Sequence, residues 1–90
     1  MHIDAEWYSK KASSNLEKHG VGFDEAVSAL LDPMAMAQED SDSEQEQRWV
    51  LIGMSVRRRL LTVVYSLRGG ERIRLISARK ATRKEAAQYA

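Results

Sequence analysis

Ninety residues with a net charge of +1 and no cysteine suit one small domain, residues 1–90, with a single modest core. That composition excludes a disulfide framework and a thiolate metal site. No apolar run approaches the ~20 residues that span a bilayer, and the N-terminal MHIDAEWYSKK lacks the apolar centre of a signal peptide. A soluble, cytoplasmic protein without membrane contact is expected. The near-neutral total hides an asymmetry. Residues 1–47 hold three Lys and no Arg against eleven Asp and Glu, a net −8. Residues 48–90 hold eleven Lys and Arg against two Glu, a net +9. A basic working surface backed by an acidic one would produce this, and so would interleaved halves that neutralise each other on a solvated surface.

In chain order, Ile3 to Trp7 is read as a short strand or extended arm. A helix is predicted from Ser9 to Lys18, with Ala12, Leu16 and His19 on one face at i, i+4, i+7 and Lys11, Asn15 and Lys18 beside it. Gly20 stands where a left-handed glycine ends a helix. The next helix carries a full stripe of Phe23, Ala26, Val27, Leu30 and Leu31. Asp24 and Glu25 suit its positive end, and Asp32-Pro33 stops it. Met34 to Ala37 is read as a short strand, and the acidic, aperiodic Gln38 to Gln47 as a solvated loop. Three strands follow, Arg48–Ser55, Leu60–Leu67 and Glu71–Ser77. Val56-Arg57-Arg58-Arg59 forms the first turn, expected to be a solvated basic tip, and Arg68-Gly69-Gly70 forms a hairpin. Trp7, Tyr8, Phe23 and Trp49 are assigned mainly to the core.

The last twenty residues, ERIRLISARKATRKEAAQYA, carry the strongest signal. Ile73 and Leu75 point one way along the strand, Arg72 and Arg74 the other. Arg79-Lys80 makes a basic corner, and Thr82 with Glu85 has capping-box spacing for a final helix to Ala90. The order helix, helix, antiparallel meander, helix gives an α+β fold. Helices cover one face of the sheet, and the charged face stays open to a ligand. Rigid elements that hold several cations toward one phosphate suit the binding or cutting of a nucleic acid.

Two strings, WYSKKASSNLEKHGVGFDEA over 7–26 and IRLISARKATRKEAAQY over 73–89, with Asp32-Pro33, Glu46-x-Arg48, Gly53 and the Leu61–Tyr65 strand between them, resemble the BrnT family of type II toxins over nearly the whole chain. The resemblance implies a RelE-like ribonuclease fold and a growth-inhibiting endoribonuclease activity. It also implies an antitoxin partner with a ribbon-helix-helix DNA-binding domain, the complex of the two binding its own promoter DNA.

Metal-free RNA cleavage needs a base for the 2′-hydroxyl, cations for the phosphorane and an acid for the leaving oxygen. Arg74 and Arg79, both in the matched strings, are the foremost candidates for phosphate contacts; Arg79 would alternatively pair with Glu46 or Asp32 to hold the fold. Lys11 is a candidate phosphate ligand and His19 a candidate base or acid near neutral pH, or a helix-end packing residue. Arg48 would act on the phosphate or pair with Glu46. Lys80 and Tyr89 are candidate RNA contacts. No cofactor is expected, and the acidic loop lacks the ligand spacing of a designed metal site. The competing functional reading is a non-catalytic basic module that docks nucleic acid or an acidic partner. A stand-alone DNA-binding subunit is disfavoured, because no recognition helix is evident.

Overall fold

The computed structural model describes residues 4–40, 47–68 and 72–89. Its elements are β1 (Ala5–Glu6), α1 (Ser9–His19), α2 (Phe23–Leu30), β2 (Met36–Glu39), β3 (Arg48–Met54), β4 (Leu60–Arg68), β5 (Arg72–Lys80) and α3 (Arg83–Gln88). The five strands form one sheet in the order β1-β5-β4-β3-β2. The meander β2–β5 is antiparallel, and β1 adds to β5 in parallel through Ala5–Ile73 and Glu6–Arg74. The predicted fold class and helix–helix–meander–helix order are therefore present. The last strand, however, runs on to Lys80, so the basic corner is sheet and not its exit. The strand expected over Met34–Ala37 is displaced to Met36–Glu39 and enters the predicted acidic loop, whose residues 41–46 lie outside the described part.

One face of the sheet makes the core. Leu51, Leu61, Val63, Leu75 and Ala78 pack there against Val21, Phe23, Ala26 and Ala29. Each such apolar side chain of Val or Leu size contributes about 1.5–3 kcal/mol on burial. Gly53 is required at the closest approach of α2 to β3, since a Cβ there would lie 2.6 Å from the carbonyl oxygen of Ala29. The α2 stripe is nearly as predicted, with Ala29 added and Leu31 left 39% exposed.

The predicted face of α1 requires correction. Leu16 is 54% exposed, and the residue α1 buries is Asn15. Its amide Nδ2 donates to the carbonyls of Val21 and Ala78 at 2.9 and 2.8 Å, and its Oδ1 accepts from the Ala78 N–H at 3.0 Å. Among the described residues, strand β1 pairs with β5 only at Ile73 and Arg74. Beyond that point the Asn15 side chain satisfies backbone groups of β5 that a neighbouring strand would otherwise take, which a buried sheet requires. Gly20 closes α1 at φ +69°, as its position in the sequence predicts.

A bulge in β5 decides what the opposite face carries. Val64 pairs with Ser77 and Tyr65 with Leu75, so Ile76 has no counterpart on β4. An extra residue inverts the alternation of everything after it. Arg72 and Arg74 lie opposite Arg68 and Ser66, and after the bulge Ser77 and Arg79 lie opposite Val64 and Thr62. These four β5 residues therefore share the face turned away from the core. Without the bulge, Arg74 and Arg79 would point in opposite directions.

Candidate nucleic-acid interface

The face turned away from the core is built in rows across the strands; Glu85 of α3 bonds Thr62 on it, and Thr62, Ser66 and Ile52 are buried there. One row runs Glu6, Arg74, Ser66, Arg48, and another runs Arg79, Thr62, Ile52, Met36. Arg48 and Arg74 stand two strands apart, about 10 Å at the usual strand spacing. Ser66 between them is fully buried, and its Oγ has no hydrogen-bond partner among the described residues. Arg48 is exposed; its proposed partner Glu46 lies outside the described residues.

Arg74 is half-buried, and its guanidinium carbon sits 5.8 Å from the centroid of the Tyr8 ring. Tyr8 is 59% exposed and Trp7 39%, which overturns their assignment to the core. Both lie between the end of β1 and the start of α1, where β1 has brought the chain to the sheet edge beside Arg74. Trp7 leans edge-on against Phe23 at 5.9 Å.

Arg79 is held by a carboxylate, but from a residue not considered for that role. Its Nη1 and Nη2 donate to Oε1 and Oε2 of Glu85 at 2.7 and 2.8 Å. The predicted capping box is present, with Glu85 N–H donating to Thr82 Oγ1 and Thr82 N–H to Glu85 Oε1. Thr62 Oγ1 donates to the same oxygen at 2.9 Å. The Arg79 guanidinium, followed by the Thr82 and Thr62 donors, pulls the Glu85 carboxyl down to about 2, and the carboxylate raises Arg79 in turn. Glu85 at neutral pH is thus a fully ionised acceptor, a poor proton carrier and a firm bidentate clamp. Arg79 keeps 39% of its side chain exposed, so its remaining N–H groups still reach solvent.

Lys11 and His19 both lie on the α1 side of β5. Together with Ser14, Asn15, Lys18, Ile76 and Ser77 they line a shallow groove of about 190 Å³ between α1 and the bulge. Three cationic or imidazole side chains of α1 thus border Ser77, which lies between Arg74 and Arg79 on β5. Lys80 pairs with Leu61 and projects from the opposite face to Arg79. Tyr89 turns away from the cluster as well: its hydroxyl donates to Asp32 Oδ2 at 2.5 Å. Asp32 also accepts from the N–H groups of Met54 and Met34, and these three donors, Tyr89 foremost, lower its pKa. The structure therefore gathers Lys11, His19, Arg74 and Arg79 around one strand, leaves Arg48 at the flank and separates Lys80 and Tyr89. Asn15, Glu85 and Tyr8 are the contributors that sequence reasoning missed. Only Glu85 had a local signal, its spacing from Thr82.

The basic turn between β3 and β4 is solvated at Val56, Arg57 and Arg58, as its composition suggests, but Arg59 is tied into the fold. Glu25, 7% exposed, accepts from Arg59 through Nε at 2.9 Å and through Nη2, and from Ser55 Oγ at 2.7 Å. Arg59 also donates to the Gly20 carbonyl at 3.1 Å, and Arg58 adopts φ +63°. Arg57, with 71% of its side chain exposed, and the exposed Arg58 remain the solvent-facing cations of this turn.

No helix among the described residues is long and apolar enough to cross a membrane. Among known structures, the chain is similar to the crystal structure of the Brucella abortus ribonuclease toxin BrnT. The TM-score is 0.69 at 23% identity, over 91% of this chain and 100% of that one. No curated protein matches the sequence. The family model for the ribonuclease toxin BrnT of type II toxin-antitoxin systems matches residues 7–85. The match takes in the first string, the second as far as Glu85 and every strand from β2 to β5, and the chain belongs to the BrnT family of ribonuclease toxins of type II toxin-antitoxin systems.

Proposed function

We propose that this chain is a metal-independent endoribonuclease with a RelE-like arrangement, acting in the cytoplasm to stop translation and growth. In this reading a ribbon-helix-helix antitoxin neutralises it, and the complex of the two represses its own promoter. One observation carries the catalytic part: the β5 bulge puts Arg74, Ser77 and Arg79 on one face, beside the groove of Lys11, Lys18 and His19.

The chemistry follows from that geometry. Arg74 and Arg79 bind the scissile phosphate and stabilise the charge that builds on its equatorial oxygens. Glu85 is a positioning residue that fixes the plane of the Arg79 guanidinium, so that no reorganisation is needed as charge develops. His19 carries the proton that leaves the 2′-hydroxyl or reaches the departing oxygen, a role suited to an imidazole near neutral pH. Lys11 holds the adjoining phosphate, and Arg48 contacts the strand further along the sheet.

The test is cleavage of a labelled single-stranded RNA by the purified chain in EDTA, beside Arg79→Ala of matched circular dichroism. The parent is expected to cleave, and Arg79→Ala to lose ~10²–10³ in rate, the usual cost of one preorganised donor. Salt-dependent RNA binding by the parent with no product, in this assay and on ribosome-bound message, would replace this reading with the non-catalytic module.

A further inference from the structure

The side of the molecule furthest from β1 combines three features that, Glu85 apart, the catalytic reading does not use. The first is a sheet edge without a partner strand among the described residues. Among the described residues β2 has β3 as its only neighbour. Asp40 N–H donates to the Arg48 carbonyl, and antiparallel alternation then directs the backbone groups of Gln38 and Met36 toward β3 as well. Ala37 and Glu39 are left with N–H and C=O pointing outward. The second feature is apolar surface. Leu31, Met34, Met36 and Met54 are 39, 54, 42 and 37% exposed. Asp32 draws them together, binding the backbone N–H of Met34 and of Met54 through its two carboxylate oxygens. Exposed apolar patches of this kind mark association surfaces, and methionine is the side chain that best adapts to a partner. The third feature is a groove of about 320 Å³ between the edge and α3, floored by Met36, Val50 and Ile52 and rimmed by Glu39, Asp40 and Glu85.

The occupant is constrained by these features together. Glu85 is already held by Arg79, but Glu39 and Asp40 on the rim set negative charge against a phosphodiester backbone, which argues against RNA as the occupant. A second copy of the chain, related by a two-fold axis, would set the acidic rim against itself. We infer that β2 and its methionine surface receive an extended segment of the antitoxin, one that carries apolar side chains interspersed with lysine or arginine. This segment would add to the sheet as a sixth strand on Ala37 and Glu39, seat its apolar residues on Met34, Met36 and Met54, and place its cations against Glu39 and the groove rim. The inference rests on the antitoxin pairing that family membership implies, and not on RNA cleavage. It adds a grip on the acidic half of the chain, three strand spacings (about 14 Å) from Arg79.

The test is calorimetric titration of the full chain with its purified cognate antitoxin. The variants are Met34→Glu with Met36→Glu together, Glu39→Lys, and Ala37→Pro, which removes an outward N–H while sparing the β3 ladder. Both methionines are exposed, Met34 by 54% and Met36 by 42%, so melting temperatures within a few degrees of the parent are required before comparison. The double variant is expected to weaken antitoxin binding roughly 10- to 100-fold. Glu39→Lys should flatten the salt dependence, and RNA cleavage by the free double variant should stay at the parent rate. Antitoxin affinity within about twofold of the parent in all three variants would overturn the inference. So would light scattering that shows the chain alone as a dimer dissolved by the double variant, since the occupant would then be a second copy. Absence of RNA cleavage by the parent would count against the ribonuclease reading alone, because the titration is read without it.

Discussion

Two arginines in this chain each hold a glutamate with a pair of donors, and the proposed function gives them different work. Arg59 grips Glu25 where the β3–β4 turn meets the end of α1. Glu25 is buried, Ser55 and Arg57 add to its contacts, and these partners lie outside the proposed phosphate-binding cluster. Arg79 grips Glu85 on the face of the sheet turned away from the core, one row from Ser77 and the α1 groove. Glu85 comes from a six-residue helix that buries no residue of its own. The chemistry of the two pairs is the same, so bidentate pairing does not separate a structural role from a functional one. Location does: the first pair closes a turn against a helix end, and the second aims a half-exposed guanidinium at solvent beside other cations.

Substitution of each pair sharpens the contrast. The largest effect is expected from Arg79→Ala, with RNA cleavage down by ~10²–10³, whereas Arg59→Ala should leave cleavage by the folded protein near the parent rate. If Arg59→Ala abolished cleavage while circular dichroism stayed unchanged, the division between the pairs would collapse. Next comes Glu25→Ala, which strands Arg59 and Ser55. A loss of about 3 kcal/mol in urea unfolding is expected, at the lower end for a broken buried pair because Arg59 opens partly to water.

Glu85→Gln is expected to cost about 1 kcal/mol at neutral pH through the cap and clamp, and it has a pH signature. The Glu85 carboxyl lies at about 2 in the folded chain against an ordinary 4.5. A lowered folded value means the contribution is fully present above about 4.5 and fades as pH falls toward 2. The stability gap between parent and Glu85→Gln should therefore close on acidification across that window, and a gap independent of pH would refute the clamp. The smallest effect belongs to Arg58→Gly at φ +63°. Stability should change by less than about 1 kcal/mol, and the slope of RNA affinity against log salt should drop by at most about one if this turn meets a phosphate.

Most elements were legible from local pattern. The α2 stripe, the Gly20 stop, the Thr82/Glu85 box and the strand alternation each follow from spacings of a few residues, and each is present. The misreadings share one cause, which is that partners distant in sequence decide burial. Leu16 stood on the apolar face read for α1 and Asn15 on the face beside it. The order is reversed because β1 stops short and leaves Ala78 with backbone groups that only an amide can satisfy. Tyr8 looked like core because it is aromatic, yet the parallel pairing of β1 delivers it to the rim beside Arg74.

The sequence by itself determined the composition of the site. It set the segregation of acid to the first half and base to the second, the cationic strand, and the strings that mark the family. Local propensities and turn chemistry act over a few residues, so they are written in the order of the letters. Which cations face one another was decided only by the tertiary structure. The bulge at Ile76 turns Arg79 onto the face of Arg74, and the register of β5 against β4 sets Lys80 on the other side. That choice depends on strand register, and register is fixed by packing two faces of a sheet at once, information that no short stretch of chain contains.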